Sequence, residues 1–276
     1  MRLEGKTAVI IGAGQAPTSG NIVGNGRATA LTFAREGAKV LCVDRHTDTV
    51  NETAAMIEAQ GGTGLATVAD VTDEGALQRA IDTCNSTWNR VDILHNNVGL
   101  SVEAGDAPMD VLTRDAFTRI MEVNLFGTIV ACRHALPIMR SQGGGSIINV
   151  SSASAYWTGH PTIAYPASKA AMITFTRQLA IQNADCGVRA NAILPGLMNT
   201  PMAVDRRMDA TGRARSDIET ERNLKVPLMN RMGDAWDVAN AALFLASDES
   251  RFVSGIELPV DGASMARVGE GLEQLP

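Results

Sequence analysis

Tyr165 and Lys169 are the two residues of this 276-residue chain whose types and spacing most directly suggest chemistry. A tyrosine four positions before a lysine predicts two side chains on one face of a helix, one turn apart. An ammonium favours the phenolate, so Lys169 is expected to lower the pKa of Tyr165 below its usual value of about 10. A tyrosine tuned in this way can donate or accept a proton near neutral pH. The alternative is an ordinary surface pair on a helix.

Short apolar runs alternate with helical patterns along the whole chain. Residues 7–12 and 146–150 are apolar almost throughout, which is typical of strands buried on both faces of a parallel sheet. Residues 47–59, 114–140 and 164–184 have helical periodicity. The length also suits a barrel of eight strand–helix units, but the glycines after the first strand favour an open sheet. We therefore predict one α/β domain, residues 1–276, with a doubly wound, mainly parallel, Rossmann-like sheet.

Composition and charge argue against several classes of function. The net charge of −6 and the pI of 5.3 argue against a nucleic-acid partner, which favours a basic surface. The sequence has neither an apolar run long enough to span a bilayer nor a secretory signal pattern, so no membrane partner is expected. The four cysteines are widely spaced, which predicts reduced thiols in the cytoplasm and no metal site.

Glycines cluster where the first predicted strand ends. Gly12 and Gly14 follow the strand, and Gly24 and Gly26 come just before the next helix. Glycines in this place allow a tight turn and let a pyrophosphate approach backbone N–H groups at a helix N-terminus. Residues 15–23 make this loop about eight residues longer than its usual compact form. A flexible surface loop is the alternative interpretation.

Asp44 ends the second predicted strand and is followed by Arg45. A carboxylate in this position accepts hydrogen bonds from a ribose 2′-hydroxyl and repels a 2′-phosphate, which favours NAD. Once the extra loop is removed, the interval from Gly12 is close to the expected spacing of about 20 residues. Arg45 keeps NADP open, because a guanidinium can pair with a 2′-phosphate.

These residues together resemble the short-chain dehydrogenase/reductase family, from the first strand to about residue 262. The segment Asn96-Asn97-Val98-Gly99 is similar to the family's Asn-Asn-Ala-Gly segment, and Asn124 matches the helix asparagine of its catalytic set. Ser152 stands thirteen residues before Tyr165, which is the family interval between catalytic serine and tyrosine. Ser151 and Ser154 are neighbouring alternatives for the serine.

The resemblance extends to the cofactor-binding segments. Pro195-Gly196 followed by Thr200 resembles the loop that closes on the nicotinamide, and Asp70 matches the residue beside the adenine. The cofactor-binding residues that the resemblance implies are Gly12, Gly14, Gly24, Gly26, Asp44, Asp70, Val71, Asn97, Gly99, Tyr165, Lys169, Pro195, Gly196 and Thr200.

The resemblance implies hydride transfer between NAD and a carbinol or carbonyl carbon. Tyr165 would move the proton, and Lys169 would lower the tyrosine pKa and hold the nicotinamide ribose. Ser152 would hydrogen-bond the substrate oxygen, and Asn124 would hold a water that links Lys169 to solvent. No metal takes part in this scheme.

Some residues depart from the family pattern. Ile11 stands where the family usually has threonine, and Pro166 directly after Tyr165 is unusual, although proline is tolerated in a first helical turn. Enoyl-carrier-protein reductases are relatives that share a longer glycine loop. They place six residues between tyrosine and lysine, whereas three separate Tyr165 from Lys169, which argues against that branch.

Three regions shape the substrate pocket in relatives: after the fourth strand, between serine and tyrosine, and after Pro195-Gly196. In this chain they supply Leu100, Ser154, Tyr156, Trp157, His160, Leu197, Met198 and Met202. The set is apolar with a few polar groups, which suits a hydrophobic, ring-containing secondary alcohol or ketone. Residues 198–227 would form a lid, and its arginines would either face solvent beside interleaved acids or clamp an acidic substrate.

The leading interpretation is therefore an NAD-dependent alcohol dehydrogenase with a small-molecule substrate. An NADPH-dependent reductase of a carbonyl or 3-oxoacyl thioester is the alternative enzyme, and a non-catalytic NAD-binding regulator is the alternative of another class. A homo-oligomer, either a tetramer or a dimer, is expected because relatives often form one.

Overall fold

Seven parallel strands form the central sheet of the computed structural model, which describes residues 1–16, 18, 20, 22–158 and 160–266. In chain order these strands are β1 (Thr7–Ile11), β2 (Lys39–Asp44), β3 (Thr63–Val68), β4 (Ile93–Asn96), β5 (Gly145–Val150), β6 (Val188–Pro195) and β9 (Glu257–Val260). A separate pair consists of β7 (Met198–Asn199) and β8 (Gly233–Asp234). The predicted doubly wound sheet is confirmed.

The strand order in the sheet is β3-β2-β1-β4-β5-β6-β9, and every pair in it is parallel. The order reverses between β1 and β4, so the connections on either side of this point run in opposite directions. Open α/β sheets bind their ligands at such a point, outside the carboxyl ends of the strands. The turns after β1 and β4 therefore mark the place for a site.

Helices cover both faces of the sheet. They are α1 (Asn25–Arg35), α2 (Thr47–Ala59), α3 (Glu74–Trp88), α4 (Arg114–Met121), α5 (Gly127–Ser141), α6 (Ala164–Gln182), α7 (Asp205–Thr211), α8 (Arg215–Asn223) and α9 (Ala235–Ala246). Helices α3, α5 and α6 pack on one face, and α1, α2 and α9 pack on the other. None of the helices in the described part of the chain combines the length and the apolar character needed to cross a membrane.

The alternation of side chains within β1 shows why its sequence is apolar throughout. Val9 and Ile11 enter the core beneath α3 and α5, whereas Ala8 and Ile10 enter the core beneath α1 and α9. Successive side chains of a strand point to opposite faces, so a strand covered on both sides needs apolar residues at every position. Both cores together hold the sheet in place beneath the strand ends.

The long helix predicted over residues 114–140 is interrupted. Helix α4 ends at Met121, a π-helical turn spans Glu122–Phe126, and α5 begins at Gly127. A π-turn inserts one extra residue and shifts the side chains that follow around the helix axis, and such turns are frequent at functional sites. The continuous periodicity of the sequence did not reveal it. Asn124 lies in the middle of this turn.

Candidate active site

A cavity of about 1360 Å³ lies at the carboxyl ends of the strands. Its walls come from the turns that follow β1 to β6 and from α7. All fourteen predicted cofactor-binding residues line it, as do Ser152 and Met202. The cavity is larger than the range of about 300–1,000 Å³ that holds a drug-sized ligand. It has room for a dinucleotide and a second small molecule.

Helix α6 presents Tyr165 and Lys169 to the same wall of the cavity. The Lys169 ammonium nitrogen lies 5.7 Å from the centre of the Tyr165 ring, and it donates a hydrogen bond of 2.8 Å to the carbonyl oxygen of Val150. Because the lysine is buried, its pKa is lowered to about 8. The last residue of β5 thus fixes the lysine beside the tyrosine.

The pKa of Tyr165 is raised, which is the opposite of the direction predicted from the lysine spacing. Burial raises this pKa most, a hydrogen bond with Ser152 lowers it, and the carboxylate of Glu103 raises it further. Lys169 is bonded to Val150 and not to the phenol, so it does not offset the loss of hydration. In this protein environment the phenol keeps its proton at neutral pH.

The serines after β5 face different partners. Ser152 accepts the backbone N–H of Ser154 at 3.1 Å and is hydrogen-bonded to Tyr165. Ser151 donates to the carbonyl oxygen of Lys169 at 2.8 Å and so anchors the backbone of α6. Ser154 is buried, and its hydroxyl has no hydrogen-bond partner among the described residues. Of the three serines, Ser152 is the one that meets the tyrosine.

Asn124 holds the loop after β4. Its amide oxygen accepts the N–H of Leu100 at 2.7 Å, and its amide nitrogen donates to the Leu100 carbonyl at 2.9 Å and to Ser168 at 3.0 Å. The side chain is fully buried, and protein groups occupy its amide. The structure therefore places this amide against the loop and α6, and the water link to Lys169 stays a prediction.

The glycine turn after β1 is closely packed. A Cβ atom on Gly26 would lie 1.8 Å from the carbonyl oxygen of Gly12, so only glycine allows α1 to start this close to the strand. Gly12 has a positive φ of 87°, a conformation that glycine adopts without strain. Asn97 completes the contact, since its amide donates to the same Gly12 carbonyl at 3.2 Å.

Asp44 binds the backbone on two sides. One carboxylate oxygen accepts the N–H of Gly14 at 3.0 Å, and the other accepts the N–H of His46 at 3.1 Å. A Cβ atom on Gly14 would come within 2.6–2.8 Å of Thr49 and Asp44, so this position also requires glycine. Arg45 lines the same part of the cavity and donates to the imidazole of His46 at 3.1 Å.

Gln15 bridges the two ends of the lengthened glycine loop. Its side-chain oxygen accepts the N–H of Gly24 at 3.1 Å, and its nitrogen donates to the carbonyl of Ile22 at 3.4 Å. The extra residues therefore leave the turn and the helix start in place. Sequence reasoning missed Gln15, because nothing in the sequence pairs it with a residue nine positions later.

Asn25, the first residue of α1, is a second residue that the sequence analysis did not single out. It lines the cavity, and its buried amide oxygen has no hydrogen-bond partner among the described residues. The adjacent N-cap, Gly24, has no side chain to satisfy the first N–H groups of the helix. Free N–H groups at a helix N-terminus bind phosphate, so this end of the cavity fits a dinucleotide pyrophosphate. The position of Asn25 between Gly24 and Gly26 is the feature of the sequence that could have identified it.

Asp70 and Val71 lie in the cavity wall after β3. Burial raises the pKa of the Asp70 carboxyl, but hydrogen bonds from Thr72 and the nearby charges of Arg45 and Arg119 outweigh it and leave the pKa below its usual value. The carboxylate accepts the backbone N–H of Thr72 at 2.9 Å and its hydroxyl at 2.8 Å. Asp70 is therefore a fixed negative charge at this wall.

Several predicted substrate residues lie elsewhere. Of the eight residues predicted to shape the substrate pocket, Leu100, Met198 and Met202 line the cavity, whereas Leu197 packs against the lid core formed by Val204, Ile218, Val226 and Met232. Ser154 and Trp157 do not line the cavity. Their loop bends away, since the Tyr156 hydroxyl donates to Glu257 at the sheet edge. His160 is not in the wall but stacks on the ring of Tyr165, with 6.3 Å between ring centres.

The lid segment contains α7 and α8, and its arginines are largely paired with nearby acids. Arg213 binds Glu221 at 2.8 Å, and Arg215 binds Asp205 and Glu219. Arg206 lines the cavity and pairs with Glu103, which lies in the loop after β4. The lid is thereby joined to the opposite side of the cavity, and its arginines match the interleaved-acid interpretation more closely than the clamp.

The described residues contain no cluster of three or more side chains suited to a metal ion. Cys42, Cys84 and Cys132 are buried free thiols, and burial raises the pKa of each to about 12. Cys186 is a free thiol that is half-buried. The cavity chemistry that the structure supports comes from hydroxyl, ammonium, amide and carboxylate groups.

Comparisons with known proteins agree with this geometry. A family model described as enoyl-(acyl carrier protein) reductase matches residues 20–263. The 2,5-dichloro-2,5-cyclohexadiene-1,4-diol dehydrogenase LinX of Sphingobium indicum is 33% identical over 261 residues, covering 95% of this chain and 96% of LinX. The 3beta-hydroxysteroid dehydrogenase 1 of Eggerthella lenta is 36% identical over 262 residues, covering 94% of each chain.

A solved structure from Burkholderia xenovorans, described as a short-chain dehydrogenase/reductase, superposes with a TM-score of 0.89 at 40% identity, covering 97% of this chain and 99% of that one. Relatives of this kind transfer hydride between a nicotinamide dinucleotide and an alcohol or ketone. The fold agrees with that of the superposed structure. This chain is an oxidoreductase that belongs to the short-chain dehydrogenase/reductase family.

Proposed function

We propose that this protein is an NAD-dependent dehydrogenase of secondary, ring-containing alcohols. The observation that carries the proposal is that Ser152, Tyr165 and Lys169 share one cavity with Asp44. The first three supply proton chemistry for a hydroxyl group, and the fourth supplies a carboxylate for a ribose. The same catalytic residues can also run the reaction in the direction of ketone reduction.

Tyr165 moves the proton in this proposal. In oxidation its phenolate takes the proton of the substrate hydroxyl, and in reduction the phenol returns a proton to the carbonyl oxygen. A bound NAD would supply the hydride acceptor, and the positive charge of its ring would favour the phenolate of Tyr165. Ser152 hydrogen-bonds the substrate oxygen and stabilises the charge that develops there.

Lys169 and Asn124 support the tyrosine. With its pKa lowered to about 8, the lysine exchanges protons readily at slightly alkaline pH, and Val150 keeps it in place. Asn124 fixes Leu100 in the cavity wall through two hydrogen bonds. Both residues therefore act on the position and the charge of the groups that touch the substrate.

The cofactor would lie along the strand ends. Free N–H groups at the start of α1 and the unpaired oxygen of Asn25 suit the pyrophosphate and an adjacent donor. Asp44 already accepts two N–H groups, but a carboxylate has about four acceptor sites, so it can still accept ribose hydroxyls. Asp70 suits the adenine end, and the loop from Pro195 to Thr200 suits the nicotinamide.

The substrate end of the cavity favours apolar rings with a hydroxyl group. Leu100, Val102, Met202 and Ala203 give it an apolar wall. The relatives named above act on a cyclohexadiene diol and on a hydroxysteroid, according to their names. A ring-containing secondary alcohol has the size and the polarity that this wall can contact.

One observation favours a second candidate, an NADPH-dependent reductase of a carbonyl or 3-oxoacyl thioester. Arg45 lines the cavity directly after Asp44, where a guanidinium could meet a 2′-phosphate. The carboxylate of Asp44 would repel that phosphate. It is hydrogen-bonded to Gly14 of the glycine turn, whereas the Arg45 side chain is bonded to His46. NAD is therefore the preferred cofactor of this proposal.

A homotetramer in the cytoplasm completes the proposal. Strand β9 lies at the edge of the sheet in the described part of the chain, and Phe252 beside it is fully exposed. Sheet edges and large exposed apolar side chains are typical places for contact between subunits. The free thiols are those of a reducing compartment. Light scattering of the purified protein gives the subunit number.

Calorimetric titration with NAD and with NADP tests the cofactor, and a panel of cyclohexanol, 1-indanol and a 3-hydroxysteroid tests the substrate. We expect NAD to bind at least tenfold more tightly than NADP, and 1-indanol or the steroid to be oxidised with a higher kcat/KM than ethanol. Preference for NADP would favour the second candidate, the NADPH-dependent reductase. Binding of neither nucleotide would contradict both.

A further inference from the structure

Asp106 caps the helix that carries the tyrosine, although it lies far from that helix in the chain. It sits in the loop between β4 and α4, and its side chain is buried. One carboxylate oxygen accepts the backbone N–H of Ala164 at 2.9 Å, and the other accepts the backbone N–H of Tyr165 at 2.9 Å. These are the first two residues of α6, and the third, Pro166, has no N–H to satisfy. The local N-cap, Ile163, makes no side-chain cap.

The same carboxylate joins two segments that border the tyrosine. Ser101, in the loop after β4, donates to it at 3.3 Å. Thr162, which is buried, also donates its hydroxyl to the carboxylate. The Thr162 hydroxyl lies 3.2 Å from the imidazole of His160, whose ring stacks on Tyr165. Asp106 therefore contacts the backbone of Tyr165 directly and is linked through Thr162 to His160, which packs on the ring.

The charge of Asp106 suits this place. Burial raises the pKa of its carboxyl, but hydrogen bonds from Thr162, Tyr165, Ala164 and Ser101 outweigh burial and leave the pKa below its usual value. The group is thus ionised at neutral pH and can accept on both oxygens. A negative charge is also favoured at the N-terminus of a helix, and α6 is 19 residues long.

We propose that Asp106 is the positioning residue of Tyr165, which holds the first turn of α6 so that the phenol meets Ser152 and the substrate oxygen. The inference rests on the proposed function of Tyr165 in proton transfer. Asp106 itself is hydrogen-bonded neither to Ser152 nor to the glycine turn, so its effect is on the alignment of the tyrosine. A displacement of about 1 Å at a reacting group can lower a rate by about 100-fold.

The variant Asp106→Asn tests this role with little change in shape. It replaces one acceptor oxygen with an NH₂ group that faces a backbone N–H of α6, so the helix start must move. We expect kcat for 1-indanol oxidation to fall about 10- to 100-fold. The NAD dissociation constant should stay within about twofold, since the glycine turn, Asp44 and Asp70, which make most of the proposed nucleotide contacts, lie on other elements. The solvent deuterium isotope effect on kcat should rise, because the proton transfer becomes slower.

Asp92→Asn is the matched control. Asp92 is another buried carboxylate that accepts a backbone N–H across the fold, that of Thr7 at 2.8 Å, and it pairs with Arg90. It precedes β4 at the amino end of the sheet, opposite the cavity. We expect this variant to lower the Tm as much as Asp106→Asn does, and to leave both kcat and the solvent isotope effect unchanged. If a loss of stability were the only cause, kcat would fall equally in both variants.

Turnover of the wild type is measured first, and all rates are divided by the concentration of NADH-binding sites. If the wild type oxidises 1-indanol and Asp106→Asn keeps kcat within about twofold with an unchanged isotope effect, the positioning role is wrong although the proposed function stands. An equal fall of kcat in Asp92→Asn would also overturn it. If Asp106→Asn does not fold, Thr162→Val decides: we expect a fall in kcat with unchanged NAD binding, and an unchanged kcat would overturn the inference. A wild type that oxidises no alcohol would overturn the proposed function, and this inference with it.

Discussion

The backbone N–H of Gly14 donates to the carboxylate of Asp44 over 3.0 Å, so one side chain joins the glycine turn after β1 to the end of β2. The two features that the sequence analysis assigned separately to phosphate and ribose are thus in direct contact. A change at Asp44 should therefore alter both the choice of nucleotide and the shape of the turn. Asparagine at this position removes the charge and can keep its oxygen toward the N–H of Gly14, so the bond to the glycine turn is retained and the bond from the N–H of His46 is lost.

We expect Asp44→Asn to weaken NAD binding about tenfold, which corresponds to about 1.4 kcal/mol. The ratio of the NADP dissociation constant to the NAD dissociation constant should fall by at least the same factor. The negative charge that repels a 2′-phosphate is removed, while an amide of similar size remains. Calorimetric titration of both nucleotides measures the change. Arg45→Gln serves as the control, because removing this guanidinium should weaken NADP binding only. An unchanged nucleotide preference in Asp44→Asn would mean that Asp44 does not set it.

The close approach of Gly26 to Gly12 predicts a specific sensitivity in the glycine turn. In Gly26→Ala the added Cβ would lie 1.8 Å from a backbone oxygen, so α1 must shift. Overpacking of this kind costs about 1–3 kcal/mol, which lowers the Tm of a chain this long by about 2–5 °C. We also expect NAD binding to weaken, because the N–H groups of the helix start move with it.

Gly24→Ala is the control for that experiment. A Cβ atom on Gly24 has no described atom within 4 Å, so the Tm should stay unchanged. Thermal unfolding of the two variants gives the comparison without any cofactor. Equal Tm values for Gly26→Ala and the wild type would show that α1 has more room than this geometry allows.

Much of this architecture was predictable from the sequence, because it depends on local patterns. The near-continuous apolar runs identified the strands, and the spacing of Tyr165 and Lys169 identified a shared helix face. The family interval between serine and tyrosine identified Ser152. The family resemblance supplied the rest of the cofactor set. Spacing along the chain is enough when one element, such as α6, carries both residues of a pair.

Other features depended on contacts between distant segments and could not be predicted in this way. The spacing of Tyr165 and Lys169 predicted a lowered tyrosine pKa, but the lysine bonds the Val150 carbonyl and burial raises the pKa instead. The cap that Asp106 places on α6 joins residues 58 and 59 positions apart. Periodicity carries no information on either contact. Nor does it place Leu197, which packs into the lid core and not into the cavity.

The buried His95 is expected to make the fold less stable in acid. It is fully buried in β4, where both ring nitrogens lack hydrogen-bond partners among the described residues, and burial lowers its pKa to about 3. The unfolded chain binds a proton near pH 6.5, and the folded chain does so only near pH 3. Stability is therefore lost as the pH falls through this window, by about 1.4 kcal/mol per pH unit.

Replacing His95 with leucine should remove that contribution. We expect His95→Leu to keep its free energy of unfolding at pH 7 and to lose about 3 kcal/mol less than the wild type between pH 7 and pH 4.5. Urea unfolding at a series of pH values measures it, with His46→Gln, at an exposed position, as the control. Parallel pH profiles for His95→Leu and the wild type would contradict a neutral buried histidine.

The central claim is that Tyr165 transfers the proton, and Tyr165→Phe tests it most directly. The variant keeps the ring that stacks on His160 and removes only the hydroxyl group that meets Ser152. Tyr156→Phe, at the other tyrosine of the chain, is the control, because that hydroxyl binds Glu257 at the edge of the sheet. NADH formation from 1-indanol is followed at saturating NAD, after titration has shown equal nucleotide binding. We predict that Tyr165→Phe binds NAD as the wild type does and that its kcat falls by a factor of about 10²–10⁴. In Tyr156→Phe both NAD binding and kcat should stay at the wild-type level. A kcat close to that of the wild type in Tyr165→Phe would contradict the account.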